Sequence, residues 1–98
     1  MTLHNLGDTY RDLQRFKDAL EYFQRACATY RQIGDRWGEA HTLRNIGDTL
    51  QKLDQLEAAA GYWRQALPIF EDLNDSVSAL KVRVSLETLD ANNPDQRS

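Results

Sequence analysis

Shifted forward by forty residues, the sequence aligns with itself. Residues 2–35 and 42–75 pair without a gap, with identities at Thr2/Thr42, Leu3/Leu43, Asn5/Asn45, Gly7/Gly47, Asp8/Asp48, Thr9/Thr49, Leu13/Leu53, Ala19/Ala59, Tyr22/Tyr62, Ala26/Ala66 and Asp35/Asp75. Leu6/Ile46, Phe16/Leu56, Phe23/Trp63, Tyr30/Phe70 and Ile33/Leu73 keep their character. A third copy begins at Ser76 and stops partway, and Leu80, Val82, Val84, Leu86 and Leu89 fit two registers one residue apart. Self-similarity at a fixed period is the mark of stacked supersecondary units, each burying its apolar faces on its neighbours.

Within each copy the period is helical. Leu3, Leu6, Tyr10 and Leu13 fall at spacings of three and four, as do Ala40, Leu43, Ile46, Leu50 and Leu53. Phe16, Ala19, Phe23, Ala26, Tyr30 and Ile33 form a second stripe, repeated by Leu56, Ala59, Trp63, Ala66, Phe70 and Leu73. Breaks are expected at Gln14-Arg15, Gly34-Asp35, Asp54-Gln55 and Asn74-Asp75. Gly34 and Asn74 suit the left-handed position that ends a helix, and Asp35 and Asp75 suit the next N-cap. The spacing predicts five helices over about 2–14, 16–33, 37–53, 56–73 and 76–90, with no strand. The fold class is all-α, a short antiparallel helix-pair solenoid in one domain over 1–90. Its repeats are expected at about 2–35 and 42–75, with a partial repeat or capping helix at 76–90. The polar tail 91–98 is expected to fray. Gly7 and Gly47 sit inside helices, where Gly costs about 1 kcal/mol relative to Ala. They predict close approach of a neighbouring helix, with Ala19/Ala59 and Ala26/Ala66 serving the same end. Pro68 removes a bond to the Arg64 carbonyl and predicts a kink.

The offsets of Leu3, Leu6, Gly7, Tyr10, Ala19, Phe23 and Ala26 resemble the tetratricopeptide repeat. So do those of Leu43, Ile46, Gly47, Leu50, Ala59, Trp63 and Ala66. The resemblance covers residues 2–75 well and 76–90 weakly. The common repeat has 34 residues, whereas this one has forty, with a longer second helix. Forty-residue forms resemble the repeats of kinesin light chains, of spindle-orientation adaptors and of bacterial nucleotide-binding signalling regulators. The phrase Ile33-Gly34-Asp35-Arg36-Trp37-Gly38-Glu39-Ala40 looks most like segments of actinobacterial signalling and transcription regulators.

The resemblance implies a non-catalytic module that binds a protein or peptide in a concave groove lined by the first helix of each repeat. Carrying the family's groove positions over gives His4, Asn5, Asp8, Arg11 and Asp12 from copy one. Copy two gives His41, Arg44, Asn45, Asp48, Gln51 and Lys52. Lys81 and Ser85 follow if the third copy keeps register. Asn5 and Asn45 match positions where related repeats hold a peptide backbone or a C-terminal carboxylate, since an amide both donates and accepts. Lys81 could add a charge-assisted bond to an acidic group. A second reading is the sensor or regulatory segment of a larger bacterial regulator, and a third is a self-associating structural unit.

Composition narrows the partners. Twelve Lys and Arg against fifteen Asp and Glu give a net charge of −3 and a pI near 5.2. The basic charge of a nucleic-acid binder is missing. No apolar run approaches the ~20 residues of a membrane span, and Met1-Thr2-Leu3-His4-Asn5 is not a signal peptide. Cys27 is the single cysteine, which agrees with a reducing cytoplasm. Leu, Ile, Val and Phe supply 22 of 98 residues, just above the roughly 20% below which disorder is favoured. The core therefore has little to spare.

No enzyme or cofactor is expected. His4 and Asp8 face one way, and His41 could join them, but they are read as a solvated polar stripe. No Ser-His-Asp order, phosphate loop, HExxH or carboxylate pair accompanies them. Gly7-Asp8-Thr9 and its repeat Gly47-Asp48-Thr49 lie mid-helix and are read as packing features. Cys27 is expected to be a small, partly buried thiol, Trp63 a packing residue and Trp37 a core residue. Met1 opens on a first helix with no capping helix before it, and the last helix is apolar on more than one side. A terminal cap should be polar outside, and about three repeats are usually needed for stability. The expectation is either a piece of a longer solenoid or chains that pair through their ends, for instance by exchanging terminal helices.

Overall fold

The computed structural model describes residues 3–91, with side chains from 6 to 89. Five helices follow one another: α1 (Leu3–Asp12), α2 (Phe16–Ile33), α3 (Arg36–Lys52), α4 (Leu56–Asp72) and α5 (Ser76–Ala91). They match the five expected helices to within two residues at each described end, and no strand occurs among the described residues. The tail beyond Ala91 and the start before Leu3 lie outside the described residues. Each helix packs on the next in the chain, so the architecture is a stack of antiparallel helix pairs, as expected.

The turns carry the repeat more strictly than the helices do. Gln14, Gly34, Asp54 and Asn74 all have left-handed backbone, with φ of 62°, 78°, 61° and 59°. They are spaced by twenty residues. After each, a backbone N–H reaches back five residues: Arg15 to Tyr10, Asp35 to Tyr30, Gln55 to Leu50 and Asp75 to Phe70, at 2.8–2.9 Å. This is the Schellman closure, which satisfies carbonyls that the helix end leaves without partners. Gly34 and Asn74 take their expected places, and Gln14 and Asp54, where breaks are expected, adopt the same left-handed conformation. Side-chain caps alternate. Asp35 accepts from the Gly38 N–H at 2.9 Å and Asp75 from the Ser78 N–H at 3.1 Å, while Arg15 and Gln55 make no such bond.

The core lies along the seams. Ala19, Phe23, Ala59, Trp63, Ala66 and Phe70 are fully buried, and α3, held between α2 and α4, contributes Ala40, Leu43, Ile46 and Leu50. The expected close approaches are present. A Cβ on Gly7 would lie 2.6 Å from the Phe23 ring, and one on Gly47 would enter the Trp63 indole. Gly38 does the same against Tyr30, also at 2.6 Å. Thr42 and Thr49, buried inside α3, donate to the carbonyls of Gly38 and Asn45 at 2.7 Å. They thereby satisfy their hydroxyls without a tertiary partner.

α4 runs from Leu56 through Pro68 to Asp72, so the proline does not end the helix. Arg64 and Pro68 both lie on its exposed side. One expectation needs adjustment. Trp37 is not a core residue: it is 51% exposed. One ambiguity is also resolved. Asn74 and Asp75 reproduce the backbone and cap of Gly34 and Asp35, so α5 starts in the forty-residue register with α3. Its buried Ala79, Val82 and Leu89 and half-buried Leu86 then stand where α3 has Glu39, Thr42, Thr49 and Ile46.

Candidate functional site

The first helices of the repeats present matching strips. On α3, Trp37, His41, Arg44, Asp48 and Gln51 recur at spacings of three and four, which places them on one side of the helix. Asp8 and Arg11 hold the equivalent places on α1, and Val77, Lys81 and Val84 on α5. Two contacts join these strips into one surface. Arg11 Nη1 donates to Asn45 Oδ1 at 3.4 Å, linking α1 to α3. Trp37 Nε1 donates to Asp75 Oδ2 at 3.2 Å, linking α3 to the start of α5.

On the α1 side the surface is polar and internally engaged. Arg11 Nη2 lies 3.1 Å from Asp8 Oδ1, and its guanidinium stands 5.9 Å from the centre of the Phe23 ring. Asn45 is only 5% exposed, so its amide is first of all part of the α1–α3 contact. Asp48 is shared between two partners. Its Oδ1 accepts from the buried Trp63 indole at 3.0 Å, while its Oδ2 lies 3.8 Å from Arg44 Nε. Asp48 is therefore a brace between α3 and α4, whereas Asp8 pairs with Arg11 on its own helix. Asp12, Gln51 and Lys52 are exposed, and Arg11 Nε lies 4.0 Å from Asp12 Oδ1. The side chains of His4 and Asn5 lie outside the described residues.

Toward α5 the character changes. The Trp37 indole stacks on His41 with centroids 4.9 Å apart and planes inclined by 8°. With its N–H held by Asp75, a large aromatic face is fixed in place while still half exposed. Asp75 is held below the usual carboxylate range. Ser78 does most of this, through its hydroxyl and then its N–H, with Trp37 and Lys81 adding to it and partial burial opposing it. Lys81 is exposed beside this platform, in register with His41. Ser85 donates its hydroxyl back to the Lys81 carbonyl at 3.1 Å. The sequence reading missed Trp37 as a surface residue. Its signal was present in the spacing, since Trp37 lies one turn before His41 on the strip that His41, Arg44, Asp48 and Gln51 define.

A shallow depression of about 240 Å³ opens between α2 and α4, lined among others by Cys27, Arg31, Leu43, Ile46 and Tyr62. Cys27 is buried, and burial raises its pKa despite the opposing influence of Arg31. This is the setting of a packing thiol, not of a nucleophile. Among the described residues no three His, Cys, Asp or Glu side chains are arranged to hold a metal ion. No described helix is long and apolar enough to cross a membrane. What the surface offers is a fixed aromatic face, a cation and a row of polar groups, which suits it to binding.

Comparison with known families agrees with this architecture. Residues 1–72 match the model of the tetratricopeptide repeat. A search of curated proteins finds no match.

Proposed function

Because the chain belongs to the tetratricopeptide repeat family, whose members generally mediate protein–protein interaction and are typically non-catalytic, we propose that it binds a peptide or helix along the α1–α3–α5 surface. The observation that carries this reading is Trp37. A half-exposed indole fixed by a stack on His41 and a bond to Asp75 loses little freedom on binding, and such preorganised aromatics are typical anchors of interfaces. Lys81 supplies the charge-assisted contact for an acidic group on the ligand. Arg44, Gln51 and Lys52 extend the surface with polar groups. Asn45 acts mainly by shaping the groove floor.

The regulator reading of the phrase from Ile33 to Ala40 has a local explanation. Gly34 takes the left-handed turn, Asp35 caps α3 and Gly38 admits Tyr30. These residues describe a tight inter-repeat turn, which a regulator and any other long-helix repeat would share.

The test is selection from a displayed library of random peptides, followed by titration of one selected peptide. Trp63 is fully buried, so a blue shift of the exposed tryptophan's emission reports on Trp37. Trp37→Ala is expected to weaken binding at least about tenfold, which corresponds to the loss of ~1.4 kcal/mol at a hot spot. Lys81→Ala should weaken it less, and Gln65→Ala on α4 should leave it unchanged. A selected peptide indifferent to Trp37 and Lys81 would refute the placement of the site.

A further inference from the structure

α5 presents an apolar stripe on the side opposite its packed face. Ala79, Val82 and Leu89 are buried toward the core. Val77, Leu80 and Val84, at spacings of three and four, are 64%, 59% and 51% exposed. On a helix turning 100° per residue these two sets lie about half a turn apart. Three large aliphatic groups within eight residues, each at least half in water, are more than a single exposed hydrophobic, which needs no explanation.

The stripe meets the stacking seam of the first two repeats only at Leu80, and the rest of that seam is not continued on α5. In α3 the residues Ala40, Leu43 and Gly47 are buried, and Gly47 is needed because any Cβ there would enter the Trp63 indole. In the register fixed by the Asn74–Asp75 turn, α5 has Leu80, Arg83 and Glu87 at those places. Arg83 instead forms an ion pair with Glu71 and is half exposed. A Glu where α3 requires a Gly, and an Arg where α3 requires a Leu, obstruct a following helix from docking as α4 docks on α3.

The charges along the stripe point to a different occupant. The first half of α5 carries Lys81 and Arg83 and no acid, and Glu87 follows in the second half. An antiparallel partner of the same sequence reverses this order. With the two-fold axis at Val84, Val84 meets Val84 of the second copy. Arg83 then lies beside the other copy's Glu87, on the same flank, and the contact is made twice. Such a surface is self-complementary, as a two-fold interface requires. We propose that α5 is a self-association helix, and that its occupant is α5 of a second copy of this chain. The dimer and the proposed peptide share the α5 end of the surface, Lys81 included, and exclude each other there, whereas the proposal does not depend on what the α1–α3 part binds. One helix pair buries less than a standard interface, so the dimer is weak, with a dissociation constant on the order of 100 µM.

Sedimentation equilibrium of the whole chain, from about 5 µM to about 1 mM, tests this. The expected result is a monomer–dimer equilibrium for the wild type and a monomer for Val84→Asp, with unchanged helical circular dichroism. Glu87→Lys should weaken the dimer several-fold at low salt. Cysteine placement fixes the geometry in a Cys27→Ala background. Val84→Cys should form a disulfide-linked dimer on mild oxidation, because the two α-carbons meet at the axis. Val77→Cys should not, because fourteen residues of helix put its two copies about 21 Å apart. A wild type that stays monomeric throughout, a dimer that survives Val84→Asp or ignores Glu87→Lys, or cross-linking at Val77 as readily as at Val84 would each overturn the proposal.

Discussion

At Gly7 and Gly47 the absence of a single methyl group sets how closely neighbouring helices approach. A Cβ added at Gly47 would enter the Trp63 indole and lie 3.1 Å from the backbone carbonyl oxygen of Ala59, which cannot move aside. Gly47→Ala is therefore expected to destabilise by about 1–3 kcal/mol through overpacking, outweighing the ~1 kcal/mol that Ala gains in helix propensity. Gly61 is the opposite case: it lies in α4 with nothing within 4 Å of an added Cβ. Gly61→Ala should raise stability by up to about 1 kcal/mol. Urea melts followed by circular dichroism would show shifts of opposite sign, and a gain at Gly47 would contradict the close approach. Asp48 adds an electrostatic constraint at the same seam. It holds the N–H of an otherwise buried indole, so Asp48→Ala should cost about 1–3 kcal/mol, the range for a buried donor left without its acceptor.

The helices owe their limits to the turns, and two of the four turns are built on residues that resist the conformation. Gln14 and Asp54 hold φ near 60° without being glycine, which costs an L-residue roughly 1–2 kcal/mol. Gln14→Gly and Asp54→Gly should each stabilise by about 0.5–1 kcal/mol, part of the relief being offset by the freer unfolded chain. In a chain of this size that is a rise in melting midpoint of about 2–8 °C. Caps give the pH dependence. Asp75 ionises more readily in the fold than in an unfolded chain, so its folded pKa is depressed. Its contribution is complete above the unfolded value of about 3.9 and is lost as pH falls through the lower, folded value. The stability of Asp75→Asn is expected to lie below wild type at neutral pH. The two should converge below about pH 4, in urea midpoints measured from pH 7 to pH 2. Parallel curves down to the acid end would show that the carboxylate does not act as the cap.

At the scale of the molecule, stability passes from neighbour to neighbour along the stack. α3 is covered on two sides, whereas α1 packs mainly on α2 and α5 mainly on α4. Hydrogen exchange is expected to be slowest in α3 and fastest in α1 and α5, read by mass spectrometry of peptic fragments. Equal protection in all five helices would mean a single cooperative unit. The slab-like outline, 44 × 32 × 19 Å, leaves one strip of α3 partly accessible at His41, Arg44 and Asp48, so that Asp48 both braces α4 and reaches the surface.

The sequence alone determined the repeat, the five helices, the glycine seams and the Asp35 and Asp75 caps. All of these follow from spacings within one helix or one turn, where geometry is fixed by 3.6 residues per turn and by the special backbone of Gly and Asn. Only the tertiary structure decided the pairings between helices, at separations of fifteen to thirty-eight residues: Trp63 with Asp48, Arg11 with Asn45 and Trp37 with Asp75. These depend on how far one helix is rotated and shifted against the next. A periodic pattern says which face of a helix is turned inward, but not which residue of a distant helix will lie opposite. For the same reason the sequence left α5 between two registers, one residue and 100° apart, until the Asn74–Asp75 turn fixed its start and left Val77, Leu80 and Val84 facing outward.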